Sequence, residues 1–272
     1  MPFASSGDVK LYYEVIGQGD PLVLIMGYGH HALHWGDLPQ QFAKNNCQIV
    51  VMDNRGTGRS DKVNAPISIA MMADDVCRVM DVAGLKKASV FGVSMGGLIA
   101  QVFAFNHPDR LNNLVLGCTF PGGSHTVPTD PEGMRILFDY EYMQKMTLEQ
   151  RSMTVFKFFC SDEYIESNRT AFEYYHKVTT DYPTPLFVFK RQAEAIAAED
   201  TWDRLPDIKS PTMIISGTDD HLVNFKNSEL LKERIPGAEL TLLQDKKHGF
   251  FIEAMDSTRI FVNGFMKRRS QR

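Results

Sequence analysis

The chain has 272 residues, with 29 Lys plus Arg against 33 Asp plus Glu and a formal charge of −4. That length suits one large α/β domain or two small ones, and it buries a sizeable core without help from disulfides. The mild acidity excludes the electrostatic footprint of a nucleic-acid binder, and no run of about 18 apolar residues offers a membrane span.

In chain order, Leu11 to Val15 alternates weakly and predicts an edge strand. Pro21 to Met26 is a continuous apolar run closed by Gly27-Tyr28-Gly29. Gln48 to Met52 is a second, followed by Asp53-Asn54-Arg55-Gly56-Thr57-Gly58. That loop lacks the Gly-Lys-Ser/Thr ending of a phosphate loop, so it is expected to be a structural turn. From Ile69 to Ala83 the apolar positions follow the helical period, and Gly84 sits where a C-terminal cap belongs. Ala88 to Gly92 and Leu114 to Leu116 are further apolar runs, with a nearly all-apolar helix at Leu98 to Phe105 between them. Pro211 to Ser216 and Glu239 to Leu243 complete the set. Short apolar runs without alternation suit strands buried on both faces, and their alternation with helices predicts a mainly parallel sheet covered on both sides.

The alternation breaks over 122–203. This segment holds 14 of the 29 aromatic residues, and 14 acidic against 8 basic ones. A bare loop of that length is not expected between two sheet strands. The segment is expected to form a helical lid, with residues 1–121 and 204–272 forming the core domain.

The four cysteines at 47, 77, 118 and 160 form no Cys-x-x-Cys pair. They are expected to be free, buried thiols in a reducing compartment. Met1 to Asp8 has neither a basic nor an apolar segment of the secretory kind. A cytoplasmic monomer or homodimer, without membrane or nucleic-acid partners, is the expectation.

The strongest chemical signal is Gly92-Val93-Ser94-Met95-Gly96-Gly97, set between an apolar strand and an apolar helix. That is the context a nucleophile elbow needs: a sharp turn lifts the serine, and glycines let strand and helix approach. Ser94 needs a base, and the base needs an orienting acid. Asp219-Asp220 follows one strand and His248 follows the last, both on the rim that carries Ser94. His248 is the candidate base.

These segments resemble the α/β-hydrolase family, in the branch of small bacterial serine esterases and enol-lactonase-like hydrolases. Asp53 to Ser60, the Ser94 elbow, Leu116 to Thr119 with Pro121-Gly122-Gly123, Arg191-Gln192-Ala193 and Asp203 to Pro206 carry the likeness. The resemblance implies an α/β-hydrolase fold and no cofactor. Its Gly-x-x-Asp pattern selects Asp220 over Asp219 as the acid. It also implies an oxyanion hole built from the backbone N–H of Met95 and that of Tyr28. The family commonly carries His-Gly-x in the second loop and often a proline at position 224. This chain has Met26-Gly27-Tyr28 and Asn224 instead.

His30, His31 and His34 could suggest a metal site, but no acidic or Cys partner is spaced to complete one. They are expected at a helix start near the pocket rim, and no metal is expected. Gly27, His30, Phe138, Tyr142, Arg191, Leu222 and Phe250 are expected to line the substrate pocket. Arg191 is one possible anion clamp, but the acidic lid is expected to disfavour a dianionic acid. Aromatic and Met side chains suit apolar, bulky groups.

The implied function is hydrolysis of a carboxylic ester or lactone through an acyl-enzyme. Carbon–carbon bond hydrolysis, cleavage of a macrolide-type lactone, perhydrolase or acyltransferase chemistry, and non-catalytic ligand sensing on the same fold stay open.

Overall fold

The computed structural model describes residues 2–270. Eight strands form one sheet: β1 (Phe3–Ser6), β2 (Val9–Ile16), β3 (Asp20–Ile25), β4 (Cys47–Met52), β5 (Ala88–Val93), β6 (Leu111–Gly117), β7 (Thr212–Gly217) and β8 (Glu239–Leu243). Their spatial order is β1-β2-β4-β3-β5-β6-β7-β8. β1 and β2 pair antiparallel, as do β2 and β4, and every later pairing is parallel.

Alternate residues of a central strand go to opposite faces, and both faces are covered. In β3, Leu22 and Leu24 join one core cluster while Val23 and Ile25 join the other. Hence these strands read as unbroken apolar runs. On one face pack α2 (Ile69–Val82) and α3 (Met95–Asn106). α1 (Leu38–Ala43) and α12 (Met255–Ser270) pack against the other. The expected helix at Ile69 is capped by the Ser68 hydroxyl, which accepts from the Met71 amide. β1 was not expected. It is a short edge strand, turned back onto β2 at Gly7, and its four residues carry no apolar run.

Six helices lie between β6 and β7: α4 (Pro131–Phe138), α5 (Tyr140–Gln144), α6 (Leu148–Phe159), α7 (Asp162–Ser167), α8 (Arg169–Asp181) and α9 (Leu186–Ala198). The two ends of this segment meet at an antiparallel bridge between Gly122 and Asp200. The Thr201 amide donates to Pro121 O at 2.8 Å, tightening the same neck. α10 (Lys226–Arg234) and α11 (Phe250–Glu253) complete the helices named here. All four cysteines are buried and unpaired. Among the described residues, no helix is long and apolar enough to cross a membrane.

Candidate active site

Ser94 occupies the turn between β5 and α3 at φ 55°, ψ −124°. A non-glycine residue at positive φ is strained and is held there by its surroundings. The flanking glycines explain how. A Cβ on Gly92 would lie 2.1 Å from Gly96 O, and one on Gly96 would lie 2.2 Å from Ile25 O. Only hydrogen fits at either place, so strand, helix and the end of β3 converge beneath Ser94. The Ser94 amide donates to Gly117 O, and the Thr119 hydroxyl donates to Ser94 O at 2.7 Å.

Asp220 follows β7 and His248 follows β8. Asp220 Oδ2 lies 2.7 Å from His248 Nδ1, and both side chains are buried. Asp220 Oδ1 accepts the Leu222 and Val223 amides at 2.8 and 2.9 Å. The carboxylate is therefore fixed at both oxygens. Asp219 turns outward and pairs with exposed His221 at 3.2 Å. Burial pulls the His248 pKa down, while the Asp220 carboxylate, with Cys118 adding to it, pushes it up.

Cys118 was not expected here. Its Sγ lies 4.0 Å from His248 Nε2. Burial raises its thiol pKa, with His248 opposing, so the sulfur meets the imidazole as a neutral thiol. Ser94 Oγ and His248 make no hydrogen bond in this conformation. Such contacts are often long until substrate binds. Cys118, Asp220 and His248 together offer donor atoms within 4.8 Å of one another. The 2.7 Å Nδ1–Oδ2 contact is a hydrogen bond, which leaves that pair facing each other rather than a common ion.

The loop after β3 passes close over Ser94. A Cβ on Gly27 would lie 3.0 Å from Ser94 Cβ. The Tyr28 and Met95 amides, the two expected oxyanion donors, have no acceptor among the described residues. The Met95 amide opens α3, where first-turn N–H groups lack helical partners. Two groups brace the loop from below. Asn54 Nδ2 donates to Met26 O at 2.8 Å, and Asp53 Oδ1 accepts the Ala32 amide at 2.8 Å. The loop after β4 is thus a structural turn that supports the site.

The inserted helices hold the loop from above. The Gly29 amide donates to Gln192 Oε1 at 2.8 Å, and the Thr184 hydroxyl donates to Gly29 O at 2.8 Å. The Tyr28 hydroxyl lies 2.7 Å from that of Tyr140. Sequence reasoning singled out Arg191-Gln192-Ala193 but placed the chemistry on Arg191, one residue early.

A cavity of about 400 Å³ opens between the sheet end and these helices, with Ser94 and His248 in its wall. Gly27, His30 and Leu222 line it. Four expected pocket residues do not. Phe138 packs its ring on Tyr28, 5.6 Å between centroids, behind the wall. Tyr142 is turned to the Arg135 guanidinium, 3.6 Å from its ring centroid. Arg191 points outward and pairs with Glu194 one helical turn on, at 2.8 Å. Phe250 is fully buried against the sheet, and the adjacent Phe251 lines the cavity instead.

The three histidines line the cavity but do not converge on a common point. His30 Nδ1 contacts Tyr28 O at 2.7 Å and its Nε2 contacts the Tyr175 hydroxyl at 2.9 Å. His34 Nε2 reaches Thr179 and His31 Nε2 reaches Val178 O. Burial pushes His30 and His31 down to about 4, so both are neutral near pH 7.

A family model described as the alpha/beta hydrolase fold matches residues 20–254. The chain belongs to the α/β-hydrolase family. It is 31% identical to "Putative carbamate hydrolase RutD" of Azorhizobium caulinodans, over 97% of this chain and 98% of that one. It is 30% identical to the 2-hydroxy-6-oxononadienedioate/2-hydroxy-6-oxononatrienedioate hydrolase of Burkholderia vietnamiensis, over 96% of this chain and 92% of that one. Among solved structures, the enol-lactonase from Burkholderia xenovorans LB400 superposes with a TM-score of 0.85 at 24% identity, covering 98% of this chain and 100% of its own. That last likeness concerns the fold.

Proposed function

We propose that the protein is a serine hydrolase that cleaves carboxylic esters or lactones of apolar, bulky substrates through an acyl-enzyme. The observation that carries this is the Asp220–His248 pair beside strained Ser94, in the wall of a largely apolar cavity. His248 Nε2 takes the Ser94 proton as Oγ attacks the substrate carbonyl. The Tyr28 and Met95 amides receive the developing oxyanion. His248 then gives its proton to the leaving oxygen. Water, deprotonated by His248, attacks the acyl group and frees the acid and Ser94. Residues 122–203 act as the lid that shapes the acyl and alcohol pockets.

Hydrolysis of a carbon–carbon bond would use the same three residues. The likeness to a hydrolase named for an oxo-dienedioate favours it as the second reading. Wild type and Ser94→Ala are to be assayed on p-nitrophenyl acetate, butyrate and octanoate, and on a vinylogous diketone. Ester turnover lost in Ser94→Ala supports the first reading. Turnover of the diketone alone moves the assignment to the second, and inertness on both removes the hydrolase assignment.

A further inference from the structure

The charge on the inserted helices differs from the charge they present to the cavity. The segment 122–203 is acidic by composition, yet none of its carboxylates lines the cavity. Among the described residues, Arg151 is the one Arg, Lys, Asp or Glu in the cavity wall. Its Nε is buried and has no hydrogen-bond partner. Its guanidinium enters no ion pair among the described residues. The histidines that share the wall with it, His30 and His31, are neutral near pH 7. The residue as a whole is half-buried, with Nε shielded and no described carboxylate paired to it, and a guanidinium fork matches a carboxylate in shape and charge.

The position of Arg151 sets a distance. α6 presents Leu148, Arg151, Ser152, Val155 and Phe159 to the cavity, at helical spacing. Phe159 lies against His248, with ring centroids 5.3 Å apart. Arg151 lies two helical turns earlier, about 12 Å along the axis at 1.5 Å per residue. The cationic group therefore sits well away from the catalytic end.

We propose that Arg151 is an anion subsite, and that the preferred substrate is an ester or lactone whose apolar chain ends in a carboxylate remote from the scissile bond. This rests on the assignment of Ser94 as the reacting end of the cavity. The substrate enters with its carboxylate on Arg151 and its carbonyl over Ser94, and the apolar wall between them holds the chain. The acidic outer surface of the lid does not oppose such an anion inside, because the acids point to solvent. The expectation that an acidic lid disfavours anionic substrates rested on composition, and none of those acids lines the cavity.

The test uses binding, so that it does not depend on turnover. Calorimetric titration of the full chain carrying Ser94→Ala compares monomethyl suberate with dimethyl suberate, which differ by one carboxylate. The monoester is expected to bind about tenfold or more tightly, as a charge-assisted contact predicts. Adding Arg151→Met should bring the two affinities together, and monomethyl succinate, too short to span the cavity, should show no preference for its carboxylate. Thermal melts and the dimethyl ester report whether the Arg151→Met chain is folded. Equal affinities, a preference that survives Arg151→Met, or no binding of either ester at millimolar concentration would overturn the proposal. Turnover of p-nitrophenyl esters is read separately. Hydrolysis without carboxylate preference leaves Ser94 in its role and removes only the subsite. Selective binding without any ester turnover keeps the subsite and removes the esterase assignment.

Discussion

The two walls of the cavity are built by different means. At the sheet end, backbone geometry places Ser94 by a strained turn between glycines and Asp220 by two amides, and Asp220 in turn fixes His248. On the lid side, side-chain packing does the work. Phe156 and Phe159 each pack on Tyr175, with ring centroids 5.0 and 6.0 Å apart, and Tyr175 reaches across to His30. On the proposed function the first wall carries the chemistry and the second selects which molecule enters. The second is tied to the first by side-chain hydrogen bonds such as those of Gln192, Thr184 and Tyr140 to the Tyr28–Gly29 loop and of Tyr175 and Thr179 to the histidines beyond it.

That contrast can be broken most sharply at the acid. Asp220→Asn should lower kcat on a p-nitrophenyl ester by about 10⁴-fold, because the imidazole loses its correct tautomer. Asp219→Asn, one residue away and exposed, should stay within about threefold, as expected of a surface change. Comparable losses in both variants would mean that the sheet-end wall is less specific than its geometry suggests.

On the lid side, Phe156→Ala should cost stability rather than chemistry. The ring is fully buried, and its removal should lower the unfolding free energy by about 3–5 kcal/mol in chemical denaturation. The kcat on a small acetate ester should fall far less than in Asp220→Asn.

Acid should act on the histidine cluster between the walls. The unfolded chain binds these protons near pH 6.5, the folded chain only near 4, so stability falls as pH drops through that window. The thermal midpoint should decline by several degrees from pH 7 to pH 4.5, and less steeply in His30→Gln. A midpoint that holds steady would contradict the neutral, buried state of the cluster.

The smallest effect is expected at Tyr175→Phe, which removes the hydroxyl that meets His30 Nε2 at 2.9 Å. About 1 kcal/mol of stability should be lost, with the rings still packed.

What could be read from the amino acids follows the same division. The residues around Ser94 lie at strand ends, where a local motif and a chain order carry the information. Asp220 needed the Gly-x-x-Asp pattern, since composition does not separate it from Asp219. Lid residues were legible only as helical and aromatic. Arg191 and Gln192 sit about 100° apart on α9, and the sequence does not say which turns to solvent. Phe250 and Phe251 pose the same problem in α11, whose four residues are too few to show a period. Cys118 lay in a segment that carried the family likeness but gave it no role, and Arg151 carried no motif at all. Their places come from tertiary packing: the end of β6 beside His248, and one face of α6.

The central claim is that Ser94 is an activated nucleophile. A fluorophosphonate probe followed by peptide mass spectrometry tests it directly. A stoichiometric adduct on the peptide containing Ser94, lost in His248→Ala, is the predicted result. A wild-type chain that stays unmodified, or carries the adduct on another residue, would contradict the account.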